Sequence, residues 1–538
     1  MRQFEQLRLN SVANSNNMTM KKLLLICILL CLSLTNTQSQ NLFQKYYGHY
    51  CCNTANAGLI TNDGGYMMAG WWNNNSPPNW LYLVKTDVTG NLQWTTKFGA
   101  PNNDDITAIN MIKTYGGGYA ILGYTTGWGG GLNDFYFVKI DAAGNIISNR
   151  TYGFSSDEIG WDIKQTRDSG FIMTGETHAS SSSDVIVVRT DADGNLLWCK
   201  TYGTVNYDEI GNSVVQTPDG GFLIAGSYDT GAPAMYFIRT DAAGDTLWTK
   251  KWGPVGPDGV KDMMLTADSG FVIIGETSWP NGAITVMRTD SALDTLWVKQ
   301  YVHTGFSDLP HRINSTVDGG YIIAGTSYVG SSSAQDVLII KIDSAGNYQW
   351  SKMYGDGGDS GEDAVSVEQA TDGGFFIGGG RFGGSPYYYN PYLIKTDAQG
   401  LSGCFENNLK TLANSLPLVK GNTQTLVHLY IPTVTNPTPG LWYGGIEYDI
   451  CSSTVGISEY ELLSQINIYP NPFSENLIIE MKSAEPVELI LYDVTSRRLI
   501  QQLFIKSTRI NTGQLAQGIY LYEVRNQRGV IKTGKVIK

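Results

Sequence analysis

The sequence predicts an all-β chain built from a repeated four-stranded unit, and three observations lead there. Gly is 62 of 538 residues, above the usual share of about 7%. Charged residues are 16% against roughly 25% in an average soluble protein, while 31 Tyr and 13 Trp supply bulk for a core. Such a mixture suits many short strands joined by tight turns. Most decisive is the repetition. Gly-Gly-aromatic, with Ser for the first Gly at Phe171 and Phe271, recurs at Tyr66, Tyr119, Phe171, Phe222, Phe271, Tyr321 and Phe375, at spacings of 53, 52, 51, 49, 50 and 54 residues. A second landmark, Lys/Arg-x-Asp, keeps step at Asp87, Asp141, Asp191, Asp241, Asp290, Asp343 and Asp397. Four antiparallel strands per 49–54 residues is the period of a β-propeller blade, and the count predicts a seven-bladed β-propeller.

The elements follow in chain order. Met20-Lys21-Lys22, the apolar residues 23–34 and the polar residues 35–39 describe a signal peptide over residues 1–39, with cleavage near Gln40 and with Met18 or Met20 as alternative starts. The apolar run has 12 residues, short of the roughly 20 of a bilayer span, so the mature chain is expected to lack a transmembrane span. Residues 40–403 are assigned to the propeller. In the second repeat, strand a covers 106–114, strand b 119–125 and strand c 135–140, and strand d follows Asn145 and ends at Tyr152-Gly153. The a–b turns read Asp-Gly-Gly or Asp-Ser-Gly and the c–d turns Asp-x-x-Gly, which supply the side-chain caps and positive φ of tight hairpins. Strand d reads Trp-x-Lys-x-Tyr-Gly at 198–203 and 350–355, yet after Gly400 the chain departs to Leu-Ser-Gly-Cys404. The missing copy is Phe43-Gln-Lys45-Tyr-Tyr47-Gly48. Residues 43–48 are therefore expected to be the outer strand of the last blade, hiding an open sheet edge.

The c–d segment resembles the tryptophan-docking repeat of pyrroloquinoline-quinone propellers: Asp87-Val-Thr89-Gly90-Asn-Leu-Gln-Trp94, then Asp191, Gly194 and Trp198; Asp241, Gly244 and Trp248; Asp343, Gly346 and Trp350. The resemblance implies that these Trp pack between blades. Cys51 and Cys52 are adjacent, as in that family's active-site disulfide, but no Asp/Glu/Asn set for a quinone accompanies them, so the PQQ-like reading stops at architecture. The repeat at 318–326 and 336–343 also looks like those of secreted bacterial surface proteins. Residues 404–464, with Pro417, Pro432, Pro437 and Pro439, read as a linker or partly strand-forming spacer, and Cys404 and Cys451 bracket it as a candidate disulfide. Five Cys follow the signal, so at least one is left over, and the pairing of Cys51, Cys52 and Cys199 stays open. Over residues 465–538, Tyr469-Pro470-Asn471-Pro472-Phe473, Leu491-Tyr492-Asp493-Val494, Gly518-Ile519-Tyr520 and Gly534-Lys535 resemble the type A sorting domain of the Bacteroidetes type IX secretion system. This implies a small immunoglobulin-like β-sandwich, handling by that machinery, removal of the domain, and release or attachment at the outer-membrane surface.

Charge and motif content narrow the function. The net charge is −12, and residues 40–456 alone carry 23 basic and 40 acidic side chains, a net of −17, which excludes a nucleic-acid face. The five His (49, 178, 303, 311 and 428) lack metal-ligand spacing, and no nucleophile elbow or phosphate loop is present. Asp191-Ala-Asp193-Gly194-Asn195 mimics the start of a calcium loop but lacks its closing Glu. Acids recur between strands d and a, among them Asp104, Asp157, Asp208, Asp258 and Asp308. Each either caps its own turn or contributes to an axial ring that would attract a cation such as calcium; no other cofactor is called for. The b–c loops vary and hold Trp71, Trp72, Trp80, Trp128, Trp279, Tyr387, Tyr388 and Tyr389, suited to stacking on sugar rings or to a protein partner. The expectation is a secreted or cell-surface binding and adhesion module for glycans or glycoproteins. The alternatives are an extracellular polysaccharide lyase or hydrolase and a structural envelope protein.

Overall fold

The structure, a computed structural model, describes residues 40–403 and 466–538 apart from short stretches, together with the backbone of the strands between 406 and 455. The signal assigned to 1–39 lies outside the described residues, as do Cys51, Cys52, Asp258, Trp279, Tyr387, Cys404 and Asn471 and the side chains of Tyr388 and Cys451. Among the described residues there is no helix, and so none long and apolar enough to cross a membrane. The chain divides into two units, Met1–Ser453 and Thr454–Lys538.

The first unit repeats one antiparallel four-stranded pattern. In sheet 2, Ile106–Lys113, Tyr119–Thr125, Asp134–Ile140 and Ile146–Gly153 lie side by side in chain order. Sheets 1, 3, 4, 5 and 6 do the same with residues 53–99, 158–203, 208–252, 259–303 and 306–354. Sheet 7 has three such strands, Gly361–Gln369, Phe375–Gly383 and Tyr388–Lys395, and its fourth is Gln40–Gly48, with Phe43 opposite Lys395. The inner strands are covered on both faces, which explains continuous apolar runs such as Phe135-Tyr-Phe-Val138 where a half-exposed strand would alternate. One apolar core fills each space between neighbouring sheets. Leu83 and Ile121 belong to the core between sheets 1 and 2, and Phe43, Tyr66, Tyr82 and Phe376 to the core joining sheet 7 back to sheet 1.

Both sequence landmarks have a mechanical reason. The Asp of each a–b turn caps its own turn and pairs with the Lys or Arg of the second landmark. Lys85 Nζ lies 2.9 Å from Asp63, Arg239 2.5 Å from Asp219, and Lys395 2.7 Å from Asp372. These bases are buried, where an unpaired charge would be costly. Asp318, although burial opposes it, is held down to about 2 by the Thr316 hydroxyl, Lys341 and the Gly320 N–H. The exception fits: the second a–b turn has Gly116 in place of Asp, and Lys139 donates instead to the Ala192 carbonyl at 2.8 Å. Neighbouring sheets are joined by the Tyr of strand d, whose hydroxyl donates to the c–d turn carbonyl of the next sheet: Tyr202 to Gly244 at 2.7 Å, Tyr301 to Gly346 at 2.6 Å and Tyr354 to Gly400 at 2.7 Å. Tyr47 makes the same bond to Gly90 at 2.6 Å, from sheet 7 to sheet 1. The Trp198 ring lies against Gly244, where a Cβ would stand 2.9 Å from the ring and φ is +80°; both sterics and backbone require Gly.

Residues 406–455 add a fifth strand to every sheet. Leaving sheet 7, the chain passes sheet 6 with Glu406–Asn408, sheet 5 with Thr411–Ser415, sheet 4 with Lys420–Asn422 and sheet 3 with Leu426–Leu429. It continues along sheet 2 with Thr433–Thr435 and sheet 1 with Gly440–Tyr443, and returns to sheet 7 with Ile446–Val455. The expected spacer is thus a belt that runs the circuit in reverse.

The second unit holds a three-stranded sheet (Ile466–Tyr469, Asn476–Met481, Ser507–Asn511) and a four-stranded one (Arg498–Phe504, Val487–Tyr492, Ile519–Asn526, Gly529–Ile537). Phe473, Leu477, Leu489, Tyr520 and Val524 share one core. Of the motif residues, Tyr469 and Pro470 are exposed, Pro472 also, and Tyr520 is buried with its hydroxyl donating to the Ala516 carbonyl at 2.6 Å. Gly518 pairs by backbone with Lys538. Gly534 faces the Tyr522 ring, and Lys535 is exposed.

Candidate functional site

The acids between strands d and a hold the b–c loops of the preceding sheet. Asp105 accepts the Asn79 N–H at 2.6 Å, Asp157 the Asn133 N–H at 3.1 Å and its Nδ2 at 2.7 Å, and Asp208 the Ser183 N–H at 2.9 Å. The next residue completes each clasp by donating its N–H to the same loop: Ile106 to Asn79, Glu158 to Asn133, Glu209 to Ser183, and Asp308 to Gly282. The recurring acids therefore occupy two registers. Asp105 and Asp157 sit in the loops and Asp208 at the exposed first position of its strand, whereas Glu158, Glu209 and Asp308 are buried in the sheets. Glu158 accepts from the Thr177 hydroxyl at 2.7 Å and the Phe154 N–H at 2.7 Å, and Asp308 from the Ser327 hydroxyl at 2.6 Å and from His303. Asp104 stands one residue earlier, beside Gly127. Among the described residues no three His, Cys, Asp or Glu side chains converge to hold a metal ion, and Cys199 is buried and unpaired.

Of the expected aromatic side chains that the structure describes, several pack on their own sheet. The Trp72 and Trp80 rings are 5.4 Å apart, with Lys97 Nζ 3.3 Å from the Trp72 ring centroid, a cation–π arrangement. Burial pulls the Lys97 ammonium down to about 8. Trp128 lies 5.7 Å from Tyr136 against the core between sheets 1 and 2. Trp71 is half-buried, and Tyr389 is exposed with its ring 4.4 Å from Phe382.

A further set converges at the centre. The first strand of every sheet carries one extra residue, a β-bulge, at the same place: Asn56, Ile109, Trp161 and Asn212 in sheets 1 to 4, and Lys261, His311 and Val365 in sheets 5 to 7. A bulge re-aims the side chain out of the ladder. All seven line a single cavity of about 520 Å³, to which Ser227 and Arg312 also contribute. Beneath it, the residues after the bulges hydrogen-bond from sheet to sheet. Asn110 Nδ2 donates to Asp162 at 2.7 Å, the Ser213 hydroxyl bridges Asp162 at 3.1 Å and Asp262 at 3.3 Å, and Arg312 lies 3.7 Å from Asp262. Burial, with the charges of Lys261 and Arg312, pushes the His311 imidazole down to about 4, so it is neutral at physiological pH. Sequence motifs do not reveal this set, because the column holds six residue types. Counting does: each bulge residue stands ten positions before the aromatic of the first landmark.

The C-terminal unit meets a known family. Residues 467–538 match the secretion system C-terminal sorting domain. That domain implies handling by the type IX secretion system and delivery to the cell surface or beyond. A comparison with curated proteins finds no match. Among solved structures, the chain is similar to the periplasmic gluconolactonase of Pseudomonas aeruginosa, with 10% identity over 58% of this chain and 95% of that one and a TM-score of 0.38. Sqt1 of Chaetomium thermophilum matches at 9% identity over 67% and 99%, TM-score 0.37, and an endo-arabinase of Bacteroides thetaiotaomicron at 11% over 44% and 92%, TM-score 0.24. At this distance the likeness speaks to neither ligand nor chemistry.

Proposed function

We propose that this chain is an exported seven-bladed β-propeller, residues 40–403 with 404–464 as its spacer and belt, carried by an immunoglobulin-like sorting domain at 465–538, and that it works by binding. Its ligand is a glycan or glycoprotein, taken up on the face formed by the b–c and d–a loops. The observation that carries this reading is the cavity at the centre of that face, where each sheet contributes one side chain at a fixed position and the residue types differ. An invariant position serves the fold; a varied one that lines a cavity serves recognition. Trp161 among the amides of Asn56 and Asn212 supplies the aromatic body and the polar groups that sugar binding uses.

The test is a glycan array probed with the full chain, with calcium and with chelator. Saturable binding to a related set of glycans is expected. Silence from folded protein would sink the glycan reading and move the proposal to a protein partner, and loss in chelator would show that binding needs calcium. A second reading, polysaccharide cleavage, draws on Asp363, whose carboxyl burial pushes up to about 6 despite the Gly380 N–H bonded to it, in the range of a general acid. It requires release of new reducing ends that Asp363→Asn abolishes.

A further inference from the structure

We infer that the axial cavity is a site for a carboxylated sugar, a hexuronate ring stacked on Trp161 with its carboxylate between Lys261 and Arg312. This rests on the glycan reading above and names its ligand class. The charge of the lining is the first argument. Residues 40–456 carry a net charge of −17, and carboxylates surround the cavity in the loop clasps and in the polar network below it. Yet among the described residues no Asp or Glu lines it, whereas Lys261, His311 and Arg312 do. An electropositive hollow in an acidic body selects an anion.

The two cations are positioned from behind. Lys261 Nζ lies 3.1 Å from Glu276, and Arg312 3.7 Å from Asp262, and neither acid belongs to the cavity lining. His311 is neutral, its Nε2 3.2 Å from the Thr326 hydroxyl. On the other sheets, Asn56 Nδ2 gives one of its two N–H groups to the Ala108 carbonyl at 2.8 Å and Asn212 Nδ2 one to the Val260 carbonyl at 2.7 Å, so each amide keeps one N–H donor and its Oδ1 acceptor for a ligand. A donor beside an acceptor suits sugar hydroxyls, which both donate and accept, better than a bare sulfate or phosphate, whose oxygens only accept. A volume of about 520 Å³ falls within the range of small-ligand sites, roughly 300–1,000 Å³, and a polypeptide segment would find little room.

Calorimetric titration of the full chain with tetragalacturonate, and with its neutral methyl ester, tests the inference. The acid is expected to bind at least tenfold more tightly than the ester. Trp161→Ala should weaken it tenfold or more, as should the double variant Lys261→Met/Glu276→Gln, which removes a charge pair together and leaves no buried partner stranded. Thermal melts of each variant establish that the fold is kept, and galacturonate monomer against tetramer separates a free sugar acid from a polymer residue. Equal affinity for acid and ester, or unchanged affinity in folded variants, overturns the ligand class while the glycan reading stands. Binding to no carbohydrate on the array or in the titration overturns both.

Discussion

Glu209 shows how a loop clasp is tied to pH. The side chain is buried, with the Thr204 hydroxyl donating to it. Burial pushes its carboxyl from the ordinary 4.5 up to about 7; the Thr204 bonds work the other way, and Asp184 and Asp208 add repulsion. Because the folded value lies above the unfolded one, folding takes up a proton between those two values. The stability this group contributes is complete below about pH 4.5 and is lost as pH rises through about 7. At about 1.4 kcal/mol per unit, the loss comes to about 3 kcal/mol. Asp134, raised by burial to about 6 with Glu158 and Asp157 nearby, acts in the same direction. The Glu209→Gln variant is therefore expected to be more stable than the parent at pH 8 and indistinguishable from it at pH 4 in urea melts. The same difference at both pH values would show that shape, and not charge, governs the position. The recurrence of these acids was legible in the sequence. Their division into a loop register and a buried register was not, since Asp and Glu in adjacent positions look alike until the strand assigns each a face.

At the scale of the element, the belt is where sequence patterning ends. Its strands are three to five residues long over most of the circuit, and Pro interrupts them. Such a segment has no period of its own because its partners are backbone edges: Tyr202 opposite Val427, Lys251 opposite Gly421, Tyr301 opposite Ala413. The four strands inside each sheet, by contrast, announce themselves through turn residues and apolar runs, and the expected bounds 106–114, 119–125 and 135–140 agree with the strands to within a residue. Edge pairing also gives the belt its task, since an uncovered outer strand is a template for association. A chain with residues 404–453 replaced by a Gly/Ser linker of equal length should lose amide-exchange protection along the outer strands, Leu196–Gly203 among them, and should form larger species by light scattering. Protection and mass unchanged from the parent would mean that the sheets stand without the belt.

For the whole molecule the controlling fact is that sheet 7 is made from both ends of the first unit. Gln44 reaches Ser402 at 2.7 Å across 358 positions of sequence, Phe43 packs edge-on against Tyr66, and Tyr47 ties the seam to Gly90. The strand Gln40–Gly48 also lies between Tyr388–Lys395 and the final belt strand Ile446–Val455, so one segment completes a sheet and seats the end of the belt. Contacts of such separation form late, after the entropy of closing the intervening chain has been met. Closure therefore waits on the N-terminal strand, and the cavity that gathers one residue from each sheet is complete only after it. Deleting residues 40–48 should then lower the melting temperature and abolish ligand binding together, and a synthetic peptide of that sequence should restore both by adding a strand to the open edge. Recovery of stability and binding with saturable peptide dependence is the expected result. A deletion chain that melts and binds like the parent would show that the seam carries no weight in the circuit, and with it the argument that closure shapes the site.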